Sequence, residues 1–168
     1  MKIGIFITDA NILIDLIKLD LLFPLLQSEV FEFKTTDFVL NELYEEQKKS
    51  LIPFILNNHL EVLESREQDL IEIAILKQQV SALSFEDCSV CYFAIKYQGV
   101  ILTGDARLRT HAVSSGLKVH GILYLFDQML QNKIVTPKTA IRKLRLLAES
   151  NKRLPQKEIE KRFQNWNR

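Results

Sequence analysis

Four carboxylates occupy places that scattered surface acids would not favour. Asp9 follows an apolar run ending at Thr8, and Asp105 follows Val100-Ile-Leu-Thr103. Glu42 lies in a helical stretch, and Asp87 falls in the first turn of another that opens at Ser84. Gathered carboxylates repel one another unless a cation lies between them, and hard divalent cations prefer oxygen donors. Such a group implies Mg²⁺ or Mn²⁺. An ion of this kind lowers the pKa of a bound water and neutralises charge on a phosphoryl oxygen, which are the two needs of phosphodiester hydrolysis. Asn11 and Thr103 stand two residues from Asp9 and Asp105 and are types that orient carboxylates by hydrogen bonding. Each acid also has a purely structural explanation. Asp9 and Asp105 fit helix N-caps, Asp87 fits the third residue of a Ser84 capping box, and Glu42 fits a solvated helix residue like Glu45 and Glu46. Capping alone gives no reason for the company of Asn11 and Thr103.

These residues need a scaffold, and the hydrophobic pattern supplies one. Lys2 to Thr8 reads as a strand buried on both faces, because its apolar residues run on without alternation. Ala10 to Gln27 is helical by three- and four-residue spacing, with Pro24 opening or kinking a second short helix. Phe31 to Thr35 is a second strand, Asp37 an N-cap, and Phe38 to Lys49 a helix carrying Glu42. Leu60 to Leu63 is a third strand. Gln68 to Val80 is helical by the spacing of Leu70, Ile71, Ala74 and Ile75. The helix opened by Ser84 runs to about Tyr97 and is ended by Gly99. Val100 to Thr103 is a fourth strand, Ala106 to Ser115 a helix stopped by Gly116, and Lys118 to His120 a fifth strand.

This alternation predicts an α/β fold, a three-layer α/β/α sandwich around a mainly parallel central sheet. Ligands of such folds collect at the carboxyl ends of the strands. If the first and fourth strands are neighbours, Asp9 and Asp105 leave the same sheet edge. Beyond Leu130 the character changes: Thr136-Pro137 opens a helix to about Ser150, and Leu154-Pro155 opens another. The expected organisation is a domain over 1–130 followed by a basic helical extension over 131–168.

A chain of 168 residues with 47% hydrophobic and 26% charged residues, five Gly and four Pro excludes disordered and fibrous classes and two large domains. The apolar run at the start is too short for a secretory signal or a membrane span, so a cytoplasmic location without a membrane partner is expected. The net charge of +1 conceals an asymmetry. Residues 1–130 carry 11 Lys and Arg against 18 Asp and Glu, whereas residues 131–168 carry 11 against 3. A basic tail of this kind meets a polyanion, packs on its own acidic body or is simply a solvated helix. Cys88 and Cys91 form a lone C-x-x-C. Without two further ligands at short spacing they read as buried apolar residues.

The motifs Thr8-Asp9-Ala-Asn11-Ile-Leu-Ile-Asp15-Leu, Val39-Leu-Asn-Glu42-Leu, Leu83-Ser-Phe-Glu-Asp87-Cys-Ser and Leu102-Thr-Gly-Asp105-Ala-Arg-Leu-Arg109 resemble, in order, the acidic motifs of the PIN domain. The resemblance spans roughly residues 1–130. The tail, with Arg153-Leu-Pro155 and Trp166, is similar to that of a PIN branch classed only as a domain of unknown function. The resemblance implies an α/β/α sandwich and an Mg²⁺- or Mn²⁺-dependent endoribonuclease, with Asp9, Glu42, Asp87 and Asp105 as catalytic and metal-binding acids. Asn11 and Thr103 match polar supports. Many bacterial and archaeal members are toxins of toxin–antitoxin pairs, so a cognate antitoxin and a homodimer are expected partners, with free-standing RNA processing as the other biology. Gly104 and Cys88 depart from residues common in relatives, and the first leaves the number of metals open. The RNA is expected to be single-stranded, because its bases can be splayed and reached. Arg107, Arg109, Lys143, Arg145, Lys152 and Arg153 are the candidates for holding its backbone. The rivals are a PIN-fold module that binds RNA or protein without cutting, and a haloacid-dehalogenase-type phosphatase. For the phosphatase, Asn11 and Arg109 stand where acids are needed.

Overall fold

The computed structural model describes residues 4–167. Its core is a five-stranded sheet made of β1 (Ile5–Thr8), β2 (Glu32–Thr36), β3 (Leu60–Leu63), β4 (Val100–Leu102) and β5 (Val119–His120). The strands are all parallel and run in the order β3-β2-β1-β4-β5. The expected α/β architecture is therefore present. β1 lies beside β4, with Thr8 opposite Leu102, so the segments after both strands emerge together. Of the expected first strand, Lys2 and Ile3 lie outside the described residues.

The connecting helices are α1 (Ala10–Lys18), α2 (Leu22–Gln27), α3 (Asp37–Glu42), α4 (Glu45–Leu56), α5 (Glu67–Gln79), α6 (Phe85–Lys96), α7 (Ala106–Ser114) and α8 (Ile122–Gln131). Four of these helices, α1, α3, α6 and α7, start at a side-chain cap. Asp9, Thr36, Ser84 and Asp105 each accept a backbone N–H from the turn they open, which satisfies donors that the helix cannot. The cap of α3 is Thr36, not Asp37. The Thr36 hydroxyl reaches the Val39 N–H at 3.1 Å, while Asp37 accepts from the N–H and hydroxyl of Ser65, both at 2.8 Å.

The expected helix over Phe38–Lys49 is broken in two. Leu43 and Tyr44 take extended backbone, Leu43 turns into the core, and Glu42 becomes the last residue of α3. Gly99 does not make the left-handed turn that ends α6, since Gln98 does so at φ 52°. Gly99 is needed for another reason, because a Cβ there would meet Ile7 Cγ1 at 3.0 Å. Gly116 closes α7 at φ 77°, as its position implied.

α5 forms where its spacing predicted, but with the opposite face inward. Leu70, Ile71 and Ile75 are exposed, whereas Ile73 and Asp69 are buried. Asp69 can face inward because Tyr92 Oη and Lys96 Nζ both donate to it at 2.6 Å, which holds its carboxyl well down, at about 2.

The last two helices are α9 (Pro137–Ser150) and α10 (Gln156–Trp166). Ala140, Leu144, Leu147 and Ile159 bury themselves in the same hydrophobic cluster as the sheet. Arg162 grips Asp127 of α8 through two bonds of 3.0 and 2.6 Å, and Lys143 lies 3.5 Å from Asp20. Part of the basic charge thus pairs with the acidic body, one of the outcomes its composition allowed. Both cysteines are buried and free; burial and nearby acids push their thiols up to about 11 for Cys88 and about 12 for Cys91.

Candidate active site

Asp9 leaves the end of β1 buried but well supplied with donors. Its Oδ1 accepts from the Ala10 N–H at 2.8 Å, and its Oδ2 accepts from Asn11 Nδ2 and Thr103 Oγ1, each at 2.7 Å. The backbone continues the sheet here, with the Asp9 N–H donating to the Leu102 carbonyl at 3.0 Å. Thr103 is the knot of this edge. Its hydroxyl donates to Asp9, accepts from the Asp105 N–H at 3.0 Å, and lies 3.4 Å from Asn11 Nδ2. Asn11 in turn accepts from the Gly104 N–H at 2.7 Å. A Cβ at residue 104 would stand 3.2 Å from Asn11 Oδ1, so glycine gives this amide its room. Asn11 and Thr103 therefore orient the Asp9 carboxylate, as their types suggested.

Glu42 and Asp87 are carried by α3 and α6. These helices are fastened together where Thr36 Oγ1 meets Ser89 Oγ at 2.7 Å, and Ser89 donates to the Glu86 carbonyl at 2.7 Å. Burial raises the Asp9 carboxyl despite its donors, and Asp87 raises it further. Glu42, although exposed, is also raised, first by desolvation and then by repulsion from Asp9, Glu86 and Asp87. Three of the four expected acids thus share one field. Glu86 belongs to it as well; its signal was its place beside Asp87 in the same first turn.

Asp105 is joined to this group through Thr103 rather than through space. Its Oδ1 accepts from the Arg107 and Leu108 N–H groups at 2.8 and 2.9 Å, capping α7. Asp87 likewise accepts from the Ser84 N–H at 2.9 Å. The structural and chemical explanations of these acids hold together, since a carboxylate that caps a helix through one oxygen keeps its other lone pairs. Among the described residues no three His, Cys, Asp or Glu side chains converge into a ready-made metal site. The donor set itself fits a hard divalent ion, being made of carboxylate oxygens whose mutual repulsion such an ion would relieve.

The expected backbone-binding cations divide. Arg107 is exposed, and Arg109 donates to the Thr103 carbonyl at 2.9 Å. Lys143 faces Asp20, and Arg145 lies over the Phe163 ring at 5.5 Å. Lys152 and Arg153 line a cleft of about 850 Å³ that also holds Asn11, Asp15, Gly104 and Asp105.

An all-parallel α/β sandwich with acids at the carboxyl ends of its central strands defines a class of fold and site. The profile of a family described as PIN domain matches residues 5–168, and the chain belongs to the PIN domain family. Among solved structures, a chain in the crystal structure of VapBC2 from Rickettsia felis bound to a DNA fragment from their promoter shares the fold. That match has a TM-score of 0.50 and 16% identity over 70% of this chain and 98% of that chain. No curated protein matches the sequence. No helix among the described residues is long and apolar enough to cross a membrane.

Proposed function

We propose that the chain is a metal-dependent endoribonuclease that hydrolyses phosphodiester bonds of single-stranded RNA in the cytoplasm, as the toxin of a toxin–antitoxin pair. The observation that carries this reading is the meeting of Asp9, Glu42 and Asp87 in one repulsive field at the carboxyl edge of the sheet, with Asp105 tied to Asp9 through Thr103. Asp9, Glu42, Asp87 and Asp105 are the residues that would hold Mg²⁺ or Mn²⁺. Such an ion supplies Lewis acidity toward the phosphodiester and lowers the pKa of a water.

The protein's own part is positioning. Three donors fix the Asp9 carboxylate, and Asn11 and Thr103 keep Asp105 in step with it. Arg107 and Arg109 lie on the first turns of α7 to meet RNA phosphates. The partners that go with this reading are a second copy of the chain and a small antitoxin covering the acidic edge.

A module that binds without cutting is the second reading, in which Asp87 and Asp105 serve only as the helix caps that their hydrogen bonds make them. Labelled single-stranded RNA incubated with Mg²⁺ or Mn²⁺ separates the two. Cutting that stops in EDTA and in folded Asp9→Asn and Asp87→Asn proteins supports the nuclease. Intact RNA with folded, metal-supplied wild type across several sequences supports the binding module. Co-purification of a small acidic-edge partner then distinguishes a toxin from a free-standing RNA-processing enzyme.

A further inference from the structure

The turn between α9 and α10 carries the basic end of the chain to the acidic sheet edge. The cleft of about 850 Å³ lies between them, within the range of small-ligand sites. Asn11, Gly104 and Asp105 form one wall and residues 150–155 the other. The cations of the extension are not equivalent here. Lys143, Arg145 and Arg162 are engaged by Asp20, Phe163 and Asp127. Lys152 reaches only the Ala148 carbonyl, at 3.4 Å, and among the described residues the Arg153 guanidinium has no acceptor.

The turn that presents these two side chains is anchored. The Asn151 N–H donates to the Leu147 carbonyl at 2.7 Å, and its side-chain oxygen accepts from the Arg153 N–H at 3.2 Å. Its side chain lies near Asp15 on α1 and favours the ionised carboxyl there, and Leu154 packs against the core. Desolvation raises the carboxyl of Asp15, the other acid in the cleft besides Asp105, and the nearby Lys18 and Asn151 offset this only in part. Two unengaged cations on a fixed turn, facing a strand edge of carboxylates across a cleft, form a wall suited to phosphate, for which a guanidinium offers paired donors.

Building on the nuclease reading above, we propose that this cleft is a subsite for the sugar–phosphate backbone of single-stranded RNA flanking the scissile linkage. Lys152 and Arg153 bind its phosphates while the Asn11–Asp105 edge faces the linkage. The extension is then one wall of the substrate groove. Arg109 also lines the cleft, but it holds the Thr103 carbonyl and is unsuitable as a clean test.

The experiment is fluorescence anisotropy of a labelled single-stranded RNA in EDTA, over about 50 to 200 mM salt. It compares wild type, Lys152→Ser/Arg153→Ser, and the charge-matched Lys138→Ser/Arg142→Ser, whose side chains are exposed away from the cleft. Thermal midpoints verify folding. The cleft pair is expected to weaken binding about tenfold and to lower the salt slope by about 1.4, as two lost phosphate contacts require, while the control pair stays within about twofold. Equal weakening in both pairs, no change in the cleft pair, or no binding by wild type overturns the proposal. Cleavage in Mg²⁺ is scored separately. Cutting with an unshifted cleft pair removes the subsite and leaves the nuclease, whereas a shifted cleft pair without cutting by wild type leaves an RNA site and removes the nuclease.

Discussion

Two threonines close the neighbouring strands at the acidic edge, and both are fully buried. The Thr103 hydroxyl, just after β4, makes bonds with Asp9 and Asp105 and approaches Asn11. The Thr8 hydroxyl, at the end of β1, has no partner among the described residues, although the Thr8 carbonyl accepts from Thr35 Oγ1 at 2.9 Å. The same side chain at the same depth is thus a connector on one strand and an unsatisfied group on the next. The acids beyond them divide in parallel. Asp9 is held by hydrogen bonds, whereas Glu42 stands in the repulsion of Asp9, Glu86 and Asp87. One side of the site is preorganised by donors; the other is held in place by its helices against charge, a state that a cation or a proton relieves.

Substitution breaks this contrast most sharply at Thr103. Thr103→Val keeps the shape but strips a donor from buried Asp9 and an acceptor from the Asp105 N–H. A loss of about 2–3 kcal/mol is expected, seen as a fall of about 5–10 °C in Tm. A loss below about 1 kcal/mol by urea unfolding would show that the knot is dispensable. Thr8→Val carries the opposite sign, since it removes a hydroxyl that pays desolvation without a bond. A gain of about 1 kcal/mol is expected, and destabilisation would reveal a partner for the hydroxyl.

The smallest effect belongs to Glu42. A carboxyl whose folded pKa is raised holds its proton more tightly in the native state, so its contribution falls as pH rises from the unfolded value through the folded one. At pH 7 without metal, Glu42→Gln should therefore stabilise the protein. Screening at this exposed position limits the gain to about 0.5 kcal/mol, or about 1–2 °C in Tm. The advantage should shrink as pH falls through the ordinary glutamate range and vanish by about pH 3, where the wild-type carboxyl is protonated in both states. It should reverse in excess Mg²⁺, which stabilises only the protein that binds it. A constant difference across pH would place the effect in packing instead of charge.

Legibility differed from element to element. Strands such as Leu60–Leu63 and the helix opened by Thr136-Pro137 were readable because a β-rich run or a cap with a following proline acts locally. The face of α5 was not. Its apolar residues have a helical spacing, but an inward Asp69 is tolerable only because Tyr92 and Lys96, distant in sequence, satisfy it. α8 has no such local signal, since its Gly121 N-cap offers no side-chain cap and its apolar residues follow directly on β5. In the site, Asp9, Asn11, Thr103 and Asp105 were visible as paired polar residues after strands. Glu86 is marked only by its place beside Asp87, and the separation of cleft-lining from engaged basic residues has no local signal.

What the sequence determined by itself is local: the identity of the four acids, the caps that start their helices, and the alternation that makes a parallel sheet. These follow from hydrogen bonds and burial within a few residues of each position. What only the tertiary structure decided is which strand ends meet, which carboxylates feel one another, and which cations face the cleft. Pairing of β1 with β4 sets the first, and packing of α3 on α6 the second. The third rests on Asp20, Phe163 and Asp127 engaging Lys143, Arg145 and Arg162, while Lys152 and Arg153 stay beside the acidic edge. Electrostatic coupling depends on distance and burial, and neither is written in spacing along the chain.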